Sequence, residues 1–359
     1  MVVNSMTAWF RRIPFFMACG ILIWFLCDPI QVRETVSDAL ALCAGNVIPA
    51  LFPFLSVTGL LISLGLGEYA APLFTPWMTP LFHLPGSAGN ALLLGFLGGY
   101  PSGARTAAEL YRRGQLTRTE AQRLLTFCNN SNPAFFISVL GGGVFGNVHT
   151  GIWLLLIHIA SALLTGMLFC NAGGLFRNSA GRVSRNTGFH GMRSESGADR
   201  NRTFPRREAD TFHETFHREA DTLHEAFRSP SAPVNFFPAF VESIGNAAES
   251  MMKICAFVIF FYTLASPLRK WDSPAGVICT GFLELFSLTP LLTRNAFSLT
   301  VAAGLSGWGG VCVLCQTGAV ISDSGLSIRY CAAGKLVQGL LSAFLTAFLL
   351  ALKVIPVPV

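Results

Sequence analysis

Two long apolar blocks, roughly residues 1–176 and 229–359, constrain this chain more than any other feature. They flank a hydrophilic stretch, residues 177–228, with ten Arg, eight Asp or Glu and no Lys. Only 12% of the whole chain is charged, about half the fraction of a soluble domain. A soluble core of this size would need periodic helices with charged faces, which are mostly missing. The sequence therefore predicts an all-α, polytopic integral membrane protein.

Several apolar segments approach the roughly 20 residues that a helix needs to cross a bilayer. The first follows Arg11 and Arg12 and runs into Asp28 and Pro29 in place of a small-residue cleavage site, which favours a retained span over a signal peptide. Basic residues lie at segment ends, as in membrane proteins, so we expect a lipid bilayer and no nucleic acid as partner. The predicted spans are residues 13–30, 47–66, 148–170, 254–268 and 336–355.

Two apolar runs are interrupted by glycine clusters, at residues 98–103 and 306–310. Backbone exposed at such breaks survives in a membrane only inside protein or beside a watery cavity. We interpret both as re-entrant hairpins, with loops between ordinary helices as the alternative. Each break lies about fifty residues after an apolar segment, so the chain divides into two related halves, residues 1–176 and 236–359, joined by an insert at 177–235. Paired, interrupted halves are typical of secondary transporters.

Polar residues at the first break suit an anionic solute. Unwound backbone and a helix N-terminus present free N–H groups, Ser102 adds a hydroxyl, and Arg105 adds a full charge one turn into the helix. Arg105 alternatively marks the cytoplasmic end of a helix. The predicted solute contacts at this break are Tyr100, Ser102, Gly103 and Arg105.

A second polar cluster interrupts an apolar stretch at Asn129, Asn130 and Asn132. Three amides are costly in lipid unless they have partners, and we expect them to contact the solute or an ion, with helix–helix packing as the alternative. Gln316 follows the second break and completes the predicted site. Glu284, the only charge in its apolar run, is the predicted coupling-ion residue, for a proton or sodium.

Catalytic and metal-binding patterns are weak. The chain has no Ser/His/Asp order, no paired acids at a defined spacing and no HExxH, so we expect no enzyme and no cofactor. One CxxC, Cys312 and Cys315, has no second pair or His partner nearby. An eleven-residue repeat in the insert (207–217, 218–228) aligns His213, His217 and His224 on one face, which we interpret as a solvated helix or linker rather than a metal site.

The motifs together resemble the sporulation integral membrane protein YlbJ family, within the wider group that has nucleoside-recognition, or Gate, domains. The residues that carry the resemblance are VIPALFPF at 47–54, GYPSGA at 99–104, Glu120-Ala121 and NNSNP at 129–133. The resemblance implies a layout similar to concentrative nucleoside transporters, with two inverted repeats that each hold a re-entrant hairpin and a broken helix. It also implies a link to endospore formation and to dipicolinate movement into the spore.

The sequence and the resemblance thus predict a membrane transporter for a small polar, anionic, dipicolinate-like solute. The predicted location is the bacterial cell membrane, with the mother-cell or outer forespore membrane left open. Alternatives are a non-transporting scaffold for spore envelope assembly and a nucleoside transporter. Homo-oligomers or spore-membrane partners are open as well.

Overall fold

The computed structural model describes residues 12–171 and 235–356, and all of its regular secondary structure is helical. Residues 177–234 of the insert, including its eleven-residue repeat, lie outside the described residues. The α-helices are α1 Ile13–Cys27, α2 Pro29–Leu42, α3 Ile48–Ser63, α4 Leu66–Phe82, α5 Ala88–Gly98, α6 Ser102–Arg112, α7 Arg118–Leu124, α8 Val148–Asn171, α9 Phe236–Leu264, α10 Ser266–Arg269, α11 Pro274–Leu283, α12 Ala296–Trp308, α13 Gly310–Ile321 and α14 Ile328–Ala351.

Five helical stretches in the described part of the chain are long and apolar enough to cross a membrane. Large apolar side chains cover their outer faces; Leu340, for example, is 73% exposed. Such a surface suits lipid and not water. The prediction of an all-α, multi-pass membrane protein is therefore confirmed. The five stretches are Pro29–Ser63, Val148–Cys170, Phe236–Leu264, Ala296–Ser324 and Ile328–Ala351.

The N-terminal segment differs from the predicted first span at 13–30. Helix α1 ends at Cys27, after 15 residues, because the Asp28 side chain accepts a hydrogen bond from the Gln31 backbone and so begins a new helix. Helices α2 and α3 then continue into one another through a π-helical turn, Cys43–Val47. Pro49 and Pro53 follow that turn and lack the N–H groups that an α-helix would use there, which accounts for the local widening.

Helices α5 and α6 form the first re-entrant hairpin, as predicted from the glycine cluster. Gly99, at its tip, has a φ of +73°, which only glycine adopts readily. Gly95 and Gly103 face each other across the hairpin, and a Cβ on either would overlap the carbonyl oxygen of Cys128. Three backbone segments therefore meet within van der Waals distance here.

The polar segment that includes the second arm of the hairpin forms two helices, α6 and α7. The chain leaves α6 through Gly114, with a φ of +71°. Thr117 then starts α7 with a capping box, in which its hydroxyl accepts from the Glu120 N–H and the Glu120 carboxylate accepts from the Thr117 N–H. Residues 128–132 have no regular structure, and a π-helix, Phe135–Val144, leads into α8.

The structure of the second half differs from the prediction in one respect. The chain reverses at Glu284, so that Leu288 lies against Gly281. The glycine cluster at 306–310, predicted to be the second hairpin, instead lies within Ala296–Ser324, one stretch of 29 residues that is long enough to span. Gly309, with a φ of +87°, breaks that stretch between α12 and α13 without turning it back. The broken helix of this half is thus α12–α13, and its chain reversal is at Glu284.

Candidate functional site

Two neighbouring cavities lie between the halves. The larger, the outer cavity, has a volume of about 160 Å³ and is enclosed by α3, the first hairpin, α9 and α13. The smaller, the inner cavity, has a volume of about 60 Å³. Tyr100, Ile254 and Gln316 line both, so these three side chains form the partition between them.

The first hairpin presents its polar residues to the outer cavity. Helix α6 begins at Ser102, whose N–H donates to Gly99 O at 2.8 Å, and this tight turn directs the helix N-terminus toward the cavity. Arg105 lies three residues later, on the same face of the helix. Both side chains line the cavity, and Arg105 is only 8% exposed. A guanidinium beside a helix N-terminus gives this wall a positive potential.

Helix α9 supplies the opposite wall. Lys253 lines the outer cavity together with Ser250 and Asn246, which lie on the same side of the helix. Its ammonium pairs with Glu249 at 2.8 Å, one turn earlier. The outer cavity is therefore bordered by two basic side chains, Arg105 from the first half and Lys253 from the second.

The inner cavity holds Glu284, with Ser131 and Asn132 from the unwound segment after α7. The Glu284 carboxylate accepts hydrogen bonds from the backbone N–H groups of Phe286 (2.8 Å) and Ser287 and from the Ser287 hydroxyl (2.7 Å). Three donors on one carboxylate fix its position in the cavity wall. The inner cavity thus contains a fixed acidic group, while the outer cavity is bordered by basic ones.

Behind the partition lies a buried polar network that joins the halves. The Lys335 ammonium donates to Asn129 O at 2.9 Å and to Gln338 Oε1 at 2.7 Å. The Gln338 amide donates to Asn130 Oδ1 at 3.0 Å, and Asn129 Nδ2 donates to Thr317 Oγ1 at 2.8 Å. Unwinding of residues 128–132 leaves carbonyls without helical partners, and Lys335 of α14 satisfies that of Asn129, while Thr317 of α13 and Gln338 of α14 bind the Asn129 and Asn130 side chains.

The structure separates the predicted site residues into three groups. Tyr100, Ser102, Arg105 and Gln316 line the outer cavity, and Asn132 and Glu284 line the inner one, as do Tyr100 and Gln316. Outside the lining of both cavities are Gly103, Asn129 and Asn130. The solute contacts predicted for all of these residues stay predictions.

Sequence reasoning missed Lys253, Lys335 and Gln338. The span predicted at 336–355 begins one residue after Lys335, whereas Lys335 lies inside the membrane-length helix Ile328–Ala351. A lysine with apolar residues on both sides for a turn or more is itself a signal of function. Lys253 carried a weaker signal, the Glu249–Lys253 spacing, which is as common on solvated helices.

No group of three or more His, Cys, Asp or Glu within residues 12–171 and 235–356 could hold a metal ion. Cys312 and Cys315 are free thiols; Cys312 is buried and Cys315 is exposed.

Comparison with known proteins places this geometry in context. Residues 44–173, which include the first hairpin and the unwound segment, match the family model described as "Gate: Nucleoside recognition". The chain is 27% identical over 323 residues to the "Sporulation integral membrane protein YlbJ" of Bacillus subtilis (strain 168), covering 83% of this chain and 72% of that protein. No solved structure matches it significantly. The resemblance seen in the sequence is confirmed: the chain is a multi-pass membrane protein that is similar over most of its length to the sporulation protein YlbJ, and its first half contains the region that matches the Gate model.

Proposed function

We propose that this protein is a secondary transporter that moves a small, polar, anionic solute across the membrane through the two cavities between its halves. The observation that carries the proposal is the outer cavity, which is bordered by Arg105, Ser102 and the N-terminus of α6 on one side and by Lys253 on the other. Each of these groups can donate to an anion.

Electrostatics favours an anion in the outer cavity. Arg105 offers five donors in a fixed plane, which matches a carboxylate. The α6 N-terminus adds a partial positive charge, and Ser102 adds a hydroxyl donor. Lys253 forms an ion pair with Glu249. A solute carboxylate could replace Glu249 as the partner of Lys253.

The partition between the cavities suggests how the solute passes. Tyr100 is at the hairpin tip of the first half, and its hydroxyl lies against the Gly309 break of the second half and contacts Ser306 O at 3.4 Å. Both sides of this contact are interrupted backbone, which can shift without breaking a continuous helix. Movement of one half against the other would separate Tyr100 from Gly309 and join the two cavities, as in alternating access.

Dipicolinate is the first solute to test. The relative is named as a sporulation protein, the family resemblance implies dipicolinate movement, and an aromatic dicarboxylate suits a basic cavity. Sporulation and the developing spore are therefore the proposed biological setting. A nucleoside is the second candidate because the matching family model is described as nucleoside recognition.

Glu284 is the proposed coupling residue. It is buried and lines the inner cavity, which shares Tyr100 and Gln316 with the outer one. A proton or a sodium ion at this carboxylate would offset the charge of an anion on the other side of the partition.

Uptake of labelled dipicolinate into proteoliposomes tests the proposal, with uridine measured beside it under proton and sodium gradients. We expect dipicolinate uptake that Arg105→Ala reduces by about tenfold or more and that Arg105→Lys restores in part. Arg112→Ala, at the exposed end of the same helix, is the matched control and should transport normally. Uptake of uridine alone would replace dipicolinate with a nucleoside as the proposed substrate. If folded protein took up neither compound, the proposal of a transporter would be refuted.

A further inference from the structure

Lys335 is the most unusual charge in the described part of the chain. It lies in a membrane-length helix and is 1% exposed. The cost of burying an ammonium is large unless it meets an anion or several acceptors. A charge kept at such a cost in a transporter core calls for a function.

The contacts of Lys335 use all three of its N–H groups without neutralising it. Two are donated to Asn129 O and Gln338 Oε1, which are neutral oxygens. The third direction faces the Tyr100 ring, whose centroid is 5.1 Å from Nζ, within the range of a cation–π contact. Among the residues that the structure describes, no carboxylate pairs with it.

Tyr100 connects this charge to the transport site. Its ring borders both cavities, whereas Lys335 borders neither. The ammonium and the cavities therefore lie against the same aromatic side chain, with no bulk water between them. In such a low-dielectric setting a charge acts over the width of a ring.

We propose that Lys335 is a specificity-determining residue, which adds a third positive charge to those of Arg105 and Lys253, helps to select an anionic solute and acts across the Tyr100 ring. The inference rests on the proposed function and deepens it, because it assigns part of the selection of an anion to a charge that borders neither cavity. A solute anion beside Tyr100 is then the missing counter-ion of Lys335, so the buried charge is neutralised when the site is filled.

Lys335 also has a structural role, since it satisfies a carbonyl of the unwound segment, and the test must separate the two. A pair of probes with the same ring and nearly the same shape but different charge does so: dipicolinate and its neutral diamide, pyridine-2,6-dicarboxamide. Loss of a structural contact weakens binding of both compounds. Loss of a selecting charge weakens binding of dipicolinate alone.

The experiment measures equilibrium binding of both probes to purified, full-length protein and to Lys335→Met and Lys335→Gln, with melting curves to show folding. We expect dipicolinate affinity to fall by about tenfold and diamide affinity to stay within about twofold. Lys353→Met, which removes an exposed lysine just beyond the same helix, should leave both unchanged. Equal weakening of both probes, or no weakening, would overturn the inference.

Two further outcomes are decisive. If both Lys335 variants fail to fold, Tyr100→Leu replaces them as the test. Without the ring the ammonium faces the cavity, so dipicolinate should bind more tightly relative to the diamide. An unchanged ratio of the two affinities would reject the inference. If dipicolinate does not bind even to the wild-type protein, the proposed function fails and the inference fails with it. Dipicolinate binding that is insensitive to Lys335 would leave the transporter standing and reject the inference alone.

Discussion

Gly103 shows how tightly the backbone of the site is packed. It is the second residue of α6, and a Cβ added there would overlap Cys128 O, which belongs to the segment that carries Asn129 and Asn132. Gly95, across the hairpin, meets the same carbonyl. The hairpin tip and the unwound segment are therefore positioned by contact between main chains, which leaves Ser102 and Arg105 free to face the cavity.

Gly103→Ala should destabilise the protein by about 1–3 kcal/mol, because neither backbone can retreat without moving the hairpin. Thermal unfolding in detergent measures the effect as a lower melting temperature. Gly318→Ala is the matched control: Gly318 is also a helical glycine, but its Cβ would meet open space, so the melting temperature should hold or rise. Equal melting temperatures for both variants would show that the backbone around Gly103 has room for a Cβ atom.

At the residue scale, the sequence predicted which polar groups belong to the site better than it predicted where each of them lies. Ser102 and Arg105 could be assigned because a glycine cluster followed by a helix start is a local pattern. Asn129 and Asn130 look the same in sequence as Asn132, but only Asn132 borders a cavity. The difference depends on Thr317 and Gln338, which lie about two hundred residues away and which no local pattern pairs with them.

Among elements, the unwound segment and α14 hold the halves together. Gln338 is the centre of this contact: it accepts from Lys335, donates to Asn130 and lies 3.5 Å from the His158 ring. Hydrogen bonds in such a dry environment are strong, and an orphaned group there is costly.

Gln338→Leu should remove one of the two oxygen acceptors of Lys335 and the donor to Asn130 Oδ1, at a cost of about 1–3 kcal/mol per group and more for the charged one. The predicted result is a markedly lower melting temperature and faster proteolysis between the halves. Leu340→Ala, on the lipid-facing side of the same helix, is the control and should change little. A Gln338→Leu protein as stable as the wild type would mean that the network is not a structural joint.

Elements were predictable where their signals are local. The first hairpin follows from Gly98 and its neighbours, and the long span at 148–170 follows from its length. The second glycine cluster was misassigned because a break and a reversal look alike in sequence. The structure distinguishes the two, because α12 packs on α14, where Gly307 and Gly339 meet closely, and α13 packs on α6 and does not fold back on α12.

For the whole molecule, both cavities are built by the two membrane halves without the insert. Every residue that lines them falls within 51–135 or 243–316. The Arg-rich part of the insert, residues 177–228, lies outside the described residues, and none of its positions falls in the two sequence ranges that line the cavities. Deletion of this stretch therefore distinguishes a transporter, which should keep its solute flux, from a scaffold that binds a partner through the insert.

Deleting residues 177–228 should leave dipicolinate flux in proteoliposomes within about twofold of the wild type, because the cavity walls remain and loop length has a small thermodynamic cost. Replacing the insert with a Gly/Ser linker of equal length controls for the connection. Full loss of sporulation function with flux retained would support the scaffold role beside transport. Loss of flux in both variants would place part of the transport machinery in the insert.

The most direct test of the central claim is a structure of the protein with dipicolinate bound, determined by cryo-electron microscopy in a lipid nanodisc. The account predicts density for the solute in the outer cavity, with one carboxylate within hydrogen-bond distance of Arg105 and Ser102 and the ring beside Tyr100. Density at another place, or an outer cavity that stays empty at saturating dipicolinate, would contradict it.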